Sequence, residues 1–256
     1  MEYLRPRFIE SLNEEGNVSV ATFEWTRHDV LRGMLNEDAA EEVFGRWVAD
    51  YKAQCIERCH DFLEETGCLD RFKDLSARVE RGSVLPFVGA GMSIPCGFKS
   101  WGPFLLSLLA DAPHRRQEVA LLLDRGLYEK AASLIEETLG AAAFAEEIES
   151  KLGEHHTRLD GPVSLLPDLF NAGCLTTNFD LILPKVYGNA GKPFKAEFAG
   201  ARLQDAVRRV ANEPHCLMRL HGVAGERLGR VLTAEEYYSS YSQQGLYYTL
   251  ERLIGN

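Results

Sequence analysis

Three apolar runs, each stopped by small or polar residues, limit what this chain can fold into. Val84–Val88 breaks into Gly89-Ala90-Gly91-Met92-Ser93, Cys174–Thr177 leads into Asn178-Phe179-Asp180, and Cys216–Leu220 ends at His221-Gly222. Short apolar runs of this kind are the pattern of strands buried on both faces of a parallel sheet. All strand carboxyl ends then lie on one edge, so three loops far apart in sequence meet over one crevice. Gly89 and Gly91 would let a phosphate approach the backbone, with the amides of the helix-like segment that follows as donors. The expectation is an α/β fold, a Rossmann-like parallel sheet flanked by helices, with a less regular strand near Arg230–Leu232.

Helices fill the remainder. Phe104–Ala110, Val119–Leu123, Tyr128–Leu139, Ala141–Leu152 and Val163–Phe170 form an expected all-helical insertion over about residues 101–171, inside a domain of residues 83–256. Residues 1–82 read as an N-terminal helical extension packed on that domain. There Asn36 stands where a helix cap belongs, and Ala39, Val43, Trp47, Val48, Tyr51, Cys55, Ile56, Cys59 and Phe62 recur at three- and four-residue spacing. A second helix is expected over Asp70–Arg81, with Phe72, Leu75 and Val79 as its buried stripe and Gly82 as its stop. Tyr247–Ile254 reads as a helix with no strand after it, so either the sheet is short of a strand or the chain is a piece of a longer protein, the second being the expectation.

Composition removes several function classes. With 28 Lys and Arg against 38 Asp and Glu, the net charge of −10 argues against a nucleic-acid backbone as partner, which requires a basic face. No apolar stretch approaches the roughly 20 residues that span a bilayer, and Met1-Glu2-Tyr3-Leu4-Arg5 lacks the apolar core of a signal peptide. With its cysteines dispersed, the expected setting is the cytoplasm, without disulfides. Cys55, Cys59, His60 and Cys68 invite a metal-site reading, but they contain no Cys-x-x-Cys pair, and the apolar face of the helix accounts for Cys55 and Cys59.

Taken singly, each loop motif has a plain structural explanation. Gly-Ala-Gly after a strand also suits a tight turn, and the dinucleotide fingerprint G-x-G-x-x-G fails because Ile94 stands at the third glycine. Asn178 and Asp180 suit the cap of a following helix equally well. His221 could be a satisfied polar residue, although a strand's carboxyl end beside a glycine favours acid–base work.

Together, in this order, Gly89-Ala90-Gly91-Met92-Ser93, Thr176-Thr177-Asn178-Phe179-Asp180 and Leu220-His221-Gly222 resemble the sirtuin signature. The spacing is that of its bacterial sirtuin-like NAD-hydrolase branch, of the antiviral defence type. Pro95-Cys96-Gly97-Phe98-Lys99-Ser100-Trp101 is similar to that branch's cofactor-binding loop, and Val231-Leu232-Thr233-Ala234-Glu235-Glu236-Tyr237 with Tyr241 to the segment after its histidine. The resemblance covers about residues 80–245. It implies that Gly89, Ala90, Gly91 and Ser93 hold the pyrophosphate of NAD+ and that Asp180 contacts the nicotinamide carboxamide. Asn178 would orient the ribose and the attacking water, His221 would be the general base, and Trp101 would shape or cover the pocket.

A departure separates the branches. Deacylating sirtuins carry a four-cysteine zinc module, whereas after Asn178 this chain holds only Cys216. Nor does Gly97-Phe98-Lys99-Ser100-Trp101 carry the Pro-Asp-Phe-Arg of the deacylases. The resemblance therefore implies an NAD+ glycohydrolase without zinc, acting as an antiphage effector that depletes NAD+ under control of a partner, a sensor or a homo-oligomer. The alternatives are a non-catalytic nucleotide-binding or assembly module and an NAD-dependent protein deacylase.

Overall fold

A computed structural model describes residues 4–34, 36–153, 159–200, 203, 215–226, 229–242, 247, 248, 250 and 251. The chain divides into two compact units, Met1–Arg78 and Val79–Asn256.

In the first unit, helix α1 (Arg5–Glu14) precedes an antiparallel hairpin of β1 (Val18–Val20) and β2 (Phe23–Trp25), which the sequence reading missed. Helices α2 (Arg27–Met34), α3 (Glu37–Glu65) and α4 (Leu69–Glu80) follow. Asn36 caps α3 as expected, its Oδ1 accepting from the Ala39 amide at 2.9 Å. The core here is small: Phe8, Phe44 and Val48, with Leu12, Leu31 and Trp47 packed on it.

The apolar stripe expected along all of α3 is not buried beyond Val48. Ile56 is 70% exposed and Phe62 63% exposed, Cys59 is exposed, and Cys55 is half-buried. Helix α4 buries no residue at all, Phe72 and Leu75 being about half exposed, which overturns its buried stripe. The cause is reach: at 1.5 Å per residue, α3 spans about 43 Å and the ten-residue α1 about 15 Å, so α1 cannot cover the far half of its neighbour.

The second unit is built on a parallel sheet of four strands, β3 (Phe87–Val88), β4 (Gly173–Thr176), β5 (Ala196–Ala199) and β6 (Cys216–Arg219), in the order β3-β4-β6-β5. Helices flank it, a Rossmann-like arrangement. Side chains alternate across the central strands, as the two-residue period requires. Cys174 and Leu217 join the core shared with the helical insertion, whereas Leu175, Cys216 and Met218 join Phe198, Leu203 and Leu220 on the opposite face. Between β3 and β4 every described element is helical: α5 (Trp101–Ser107), α6 (Arg116–Asp124), α7 (Tyr128–Leu139), α8 (Ala141–Leu152) and α9 (Leu166–Leu169), joined by short 3-10 turns. Helix α10 (Ile182–Asn189) follows β4, and α11 (Ala234–Ser242) follows the 229–233 segment.

Four expectations need correction. The strand at Val84–Val88 shrinks to Phe87–Val88, because Pro86 has no N–H to offer; its carbonyl still accepts from Leu175 N at 2.9 Å. Lying at a sheet edge, Phe87 is 58% exposed rather than buried on both faces. Strand β5 escaped notice because an edge strand needs no continuous apolar run, and only Phe198 of its four residues is buried. Arg230–Leu232 is not a strand; among the described residues one backbone bond, from Val231 N to the His221 carbonyl at 3.1 Å, ties it ladder-fashion to its neighbour. The helix-like segment after the glycine loop takes the form of two 3-10 turns, Ala90–Met92 and Ile94–Cys96, since Pro95 and the left-handed Gly97 (φ +100°) forbid continuation. The expected final helix Tyr247–Ile254 is helical at 247, 248, 250 and 251, and its last residues lie outside the described ones. No helix among the described residues is long and apolar enough to cross a membrane.

Candidate active site

Parallel pairing aligns Val88 with Thr176, Thr176 with Arg219, and Arg219 with Ala199, so the three chemistry-bearing loops leave neighbouring strands at one edge. Thr176 fastens that edge. Its hydroxyl donates to the Val88 carbonyl at 2.8 Å and accepts from the Asn178 amide at 3.0 Å, so the ends of β3 and β4 and the start of the Asn178 loop move as one piece.

Ser93 then joins the loops by their side chains. Its hydroxyl donates to Asp180 Oδ2 at 2.8 Å and accepts from Asn178 Nδ2 at 3.1 Å. A serine has one proton, and the carboxylate can only accept, so the amide nitrogen must face Ser93. Asn178 Oδ1 is thereby turned the other way, buried and without a donor among the described residues. The side chain of Asn178 makes no helix cap. Asp180 does part of that work, its Oδ1 accepting from Ile182 N at 3.0 Å, the first amide of α10. Replacing Ser93 by Ala leaves two polar groups of buried residues with one partner fewer and is expected to cost about 1–3 kcal/mol, read from urea unfolding.

These three residues line a pocket with Ala90, Phe98, Lys99, Trp101, Phe104, Leu152 and Phe179. Trp101, the first residue of α5, stands edge-on to Phe104 and to Phe179 at 5.5 and 5.7 Å between ring centroids. The free volume is about 20 Å³, room for one water molecule. Gly89 and Gly91 do not line this pocket. A methyl group built on either would meet nothing within 4 Å, and the amides of Ala90 and Gly91 have no acceptor among the described residues. Neither glycine has a positive φ, so it is room in front of the backbone, not turn geometry, that they supply.

His221 stands with 6.5 Å between its ring centroid and that of Phe179, and is not part of that pocket wall. Tyr237 and Tyr241 of α11 stand edge-on to its ring at 5.2 and 6.1 Å, and its Nε2 is 2.9 Å from the Tyr241 hydroxyl. The next residue, Gly222, has φ +82°, and a Cβ there would meet the Gly229 carbonyl at 2.9 Å, so only glycine lets the chain turn away from the histidine.

Burial among aromatic rings pushes the His221 imidazole down to about 4, so the ring is neutral at physiological pH. The same burial pushes Tyr237 up to about 12, with Tyr241 and Glu129 adding to it. The sign for stability follows directly. A histidine at its ordinary 6.5 in the unfolded chain takes up a proton before the folded one does, so its contribution is full above pH 6.5 and is lost as pH falls from there towards 4. That gap corresponds to about 3 kcal/mol. His221→Gln should flatten this part of the curve of unfolding free energy against pH.

The sequence reading named Ser93, Asn178, Asp180, Trp101 and Ala90, and all five line one pocket. It did not single out Phe98, Phe104, Leu152 or Phe179, whose apolar spacing looks like ordinary core, nor Arg219. A signal for Arg219 was present: it is the charged residue inside the run Cys216–Leu220, and a charge in a buried strand must have partners.

Residues 173–255 match a SIR2-like domain. The SIR2-like segment starts at the first residue of β4 and takes in Asn178, Asp180 and His221; the Gly89–Ser93 loop and Trp101 lie outside it. No curated protein matches the chain. Among the described residues no cluster of His, Cys, Asp and Glu could hold a metal ion.

Proposed function

We propose that this crevice cleaves the bond between nicotinamide and ribose in NAD+ and passes the ribosyl group to water, releasing nicotinamide and ADP-ribose. Asn178 Oδ1 carries this reading, being a buried acceptor with no donor among the described residues, in a residue that lines the pocket. A water or a ribose hydroxyl donating to it would fill that acceptor position. The electron pair of the breaking bond leaves on the nicotinamide nitrogen, C1′ gains positive charge, and the water oxygen bonds to C1′ while its proton passes to solvent. The leaving group is already good, so the protein has chiefly to fix geometry and keep bulk water out, the second being work for Trp101, Phe98 and Phe179.

The SIR2-like match supports NAD+ as the substrate, since that family includes NAD-dependent enzymes. The amides of Ala90 and Gly91, without an acceptor among the described residues, suit a pyrophosphate oxygen. His221, neutral at pH 7, suits the orienting of a ribose hydroxyl by hydrogen bond better than full proton removal.

The resemblance to the antiviral hydrolase branch supports a finer reading, a cytoplasmic effector that depletes NAD+ when a partner or a rearranged oligomer triggers it. The test is incubation with NAD+ at several protein concentrations, following nicotinamide and ADP-ribose by chromatography. Equimolar release of both is expected. Binding without turnover in every oligomeric state would replace the hydrolase with a nucleotide-binding module, and turnover that requires an acyl-lysine peptide would replace it with a deacylase.

A further inference from the structure

Arg219 ends β6 with its side chain 1% exposed, and it reaches sideways under the loop that leaves β4. Its Nη1 donates to the Asp180 carbonyl at 2.8 Å and to the Asn178 carbonyl at 3.3 Å. Its Nε donates to Glu197 Oε2 at 3.3 Å, on edge strand β5. The two carbonyls belong to the two residues whose side chains meet at the Ser93 hydroxyl. The Asn178–Asp180 segment is therefore held from both sides, by Ser93 through its side chains and by one guanidinium through its backbone.

We propose that Arg219 is the positioning residue of the pocket, fixing the backbone from which Asn178 and Asp180 project, with Glu197 fixing Arg219 in turn. This rests on the reading of the pocket as an NAD+-cleaving site only for its effect on turnover. A buried charge is costly to hold, and the Glu197 carboxylate opposite it is 44% exposed and so is not stranded when the guanidinium is lost; what Arg219 contributes is therefore sought in the order of what it binds. The planar guanidinium spans two carbonyls and a carboxylate together. A lysine ammonium, a point charge on a flexible stem, would reach them with less definition.

The experiment compares Arg219→Met, Arg219→Lys and Glu197→Gln with the unaltered protein, by native-state hydrogen exchange and by steady-state NAD+ cleavage. The amides of Asn178 and Ile182, bonded to Thr176 Oγ1 and Asp180 Oδ1, report on the loop; that of Leu217, within β6, reports on the sheet. In Arg219→Met the loop amides are expected to exchange at least about tenfold faster while Leu217 stays within about twofold. Turnover, kcat, should fall about a hundredfold with KM nearly unchanged, the size of effect that a misplacement of about 1 Å produces. Arg219→Lys should restore part of both, and Glu197→Gln should fall between it and the unaltered protein. Loop and sheet amides loosening equally would make Arg219 a general fold stabiliser and overturn the proposal, as would unchanged loop exchange in a folded Arg219→Met. Should Arg219→Met fail to fold, Arg219→Lys decides by the same two amides. Should the unaltered protein not cleave NAD+, the exchange result still decides the role of Arg219, and only the reading of the reaction falls.

Discussion

Asn178→Ala is expected to lower nicotinamide release from NAD+ by at least about a hundredfold while the protein remains folded. The expected loss follows from what the side chain does at each end. Nδ2 is bound to Ser93 Oγ at 3.1 Å, and that bond leaves Oδ1, which has no donor among the described residues, to accept from the water or ribose hydroxyl of the proposed reaction. Losing a group that orients reactants in the transition state costs about 10²-fold or more, because a positioned nucleophile is worth far more than one that diffuses in. The folded state loses little by comparison: Thr176 Oγ1 keeps the residue's backbone amide at 3.0 Å, and Ser93 keeps its bond to Asp180. His221→Ala should cost less, about 10-fold to 100-fold, since an imidazole pushed down to about 4 orients by hydrogen bond rather than as a strong base. The measurement is single-turnover release of nicotinamide with far-ultraviolet circular dichroism as the check on folding. Full activity in Asn178→Ala would remove the residue from the reaction, and an Asn178→Asp variant that also stayed fully active would show that no amide is needed there.

What the sequence made legible was the part of the fold in which burial is continuous. The runs Cys174–Thr177 and Cys216–Leu220 are central strands with apolar neighbours on both sides, so their pattern survives without tertiary information. The edge strands β3 and β5 have one solvated side, and there the pattern broke down: three of the five residues of Val84–Val88 lie outside the strand, and Ala196–Ala199 was not seen. The long stripe of α3 and α4 misled for a different cause. Three- and four-residue spacing shows which side of a helix is apolar but not whether a neighbour is long enough to cover it, and Ile56, Phe62 and Phe72 are left exposed. In the site, polar residues at strand ends were visible because they interrupt apolar runs. The aromatic wall of Phe98, Phe104 and Phe179 was not, because buried aromatic rings look alike whether they close a core or a pocket.

Arg230→Met is expected to destabilise the second unit by about 3 kcal/mol, the largest stability loss expected of any substitution considered. Arg230 is 3% exposed, and its Nε and Nη2 donate to Glu236 Oε1 at 3.1 and 2.9 Å. Nη2 also stands 3.5 Å from Glu136 Oε1 of α7, and the guanidinium lies 5.0 Å from the Phe144 ring centroid of α8. One side chain thus ties two helices of the insertion to the start of α11. Glu236 is committed on its other oxygen, which accepts from Leu232 N at 2.8 Å and Thr233 N at 2.9 Å, so it cannot turn to solvent when its cation is lost. Breaking a buried pair by removing one partner costs about 3–5 kcal/mol, and the lower end applies because both glutamates keep some exposure and Arg230 Nη1 has no partner among the described residues. Function should follow, since α11 carries Tyr237 and Tyr241 against His221, so kcat falls along with the midpoint of unfolding. A double-mutant cycle with Glu136→Gln in urea separates the two glutamates. Because all three charges share one network, the paired losses should sum to less than the single ones. A loss below about 1 kcal/mol for Arg230→Met would mean that the insertion is held to α11 by its apolar contacts alone.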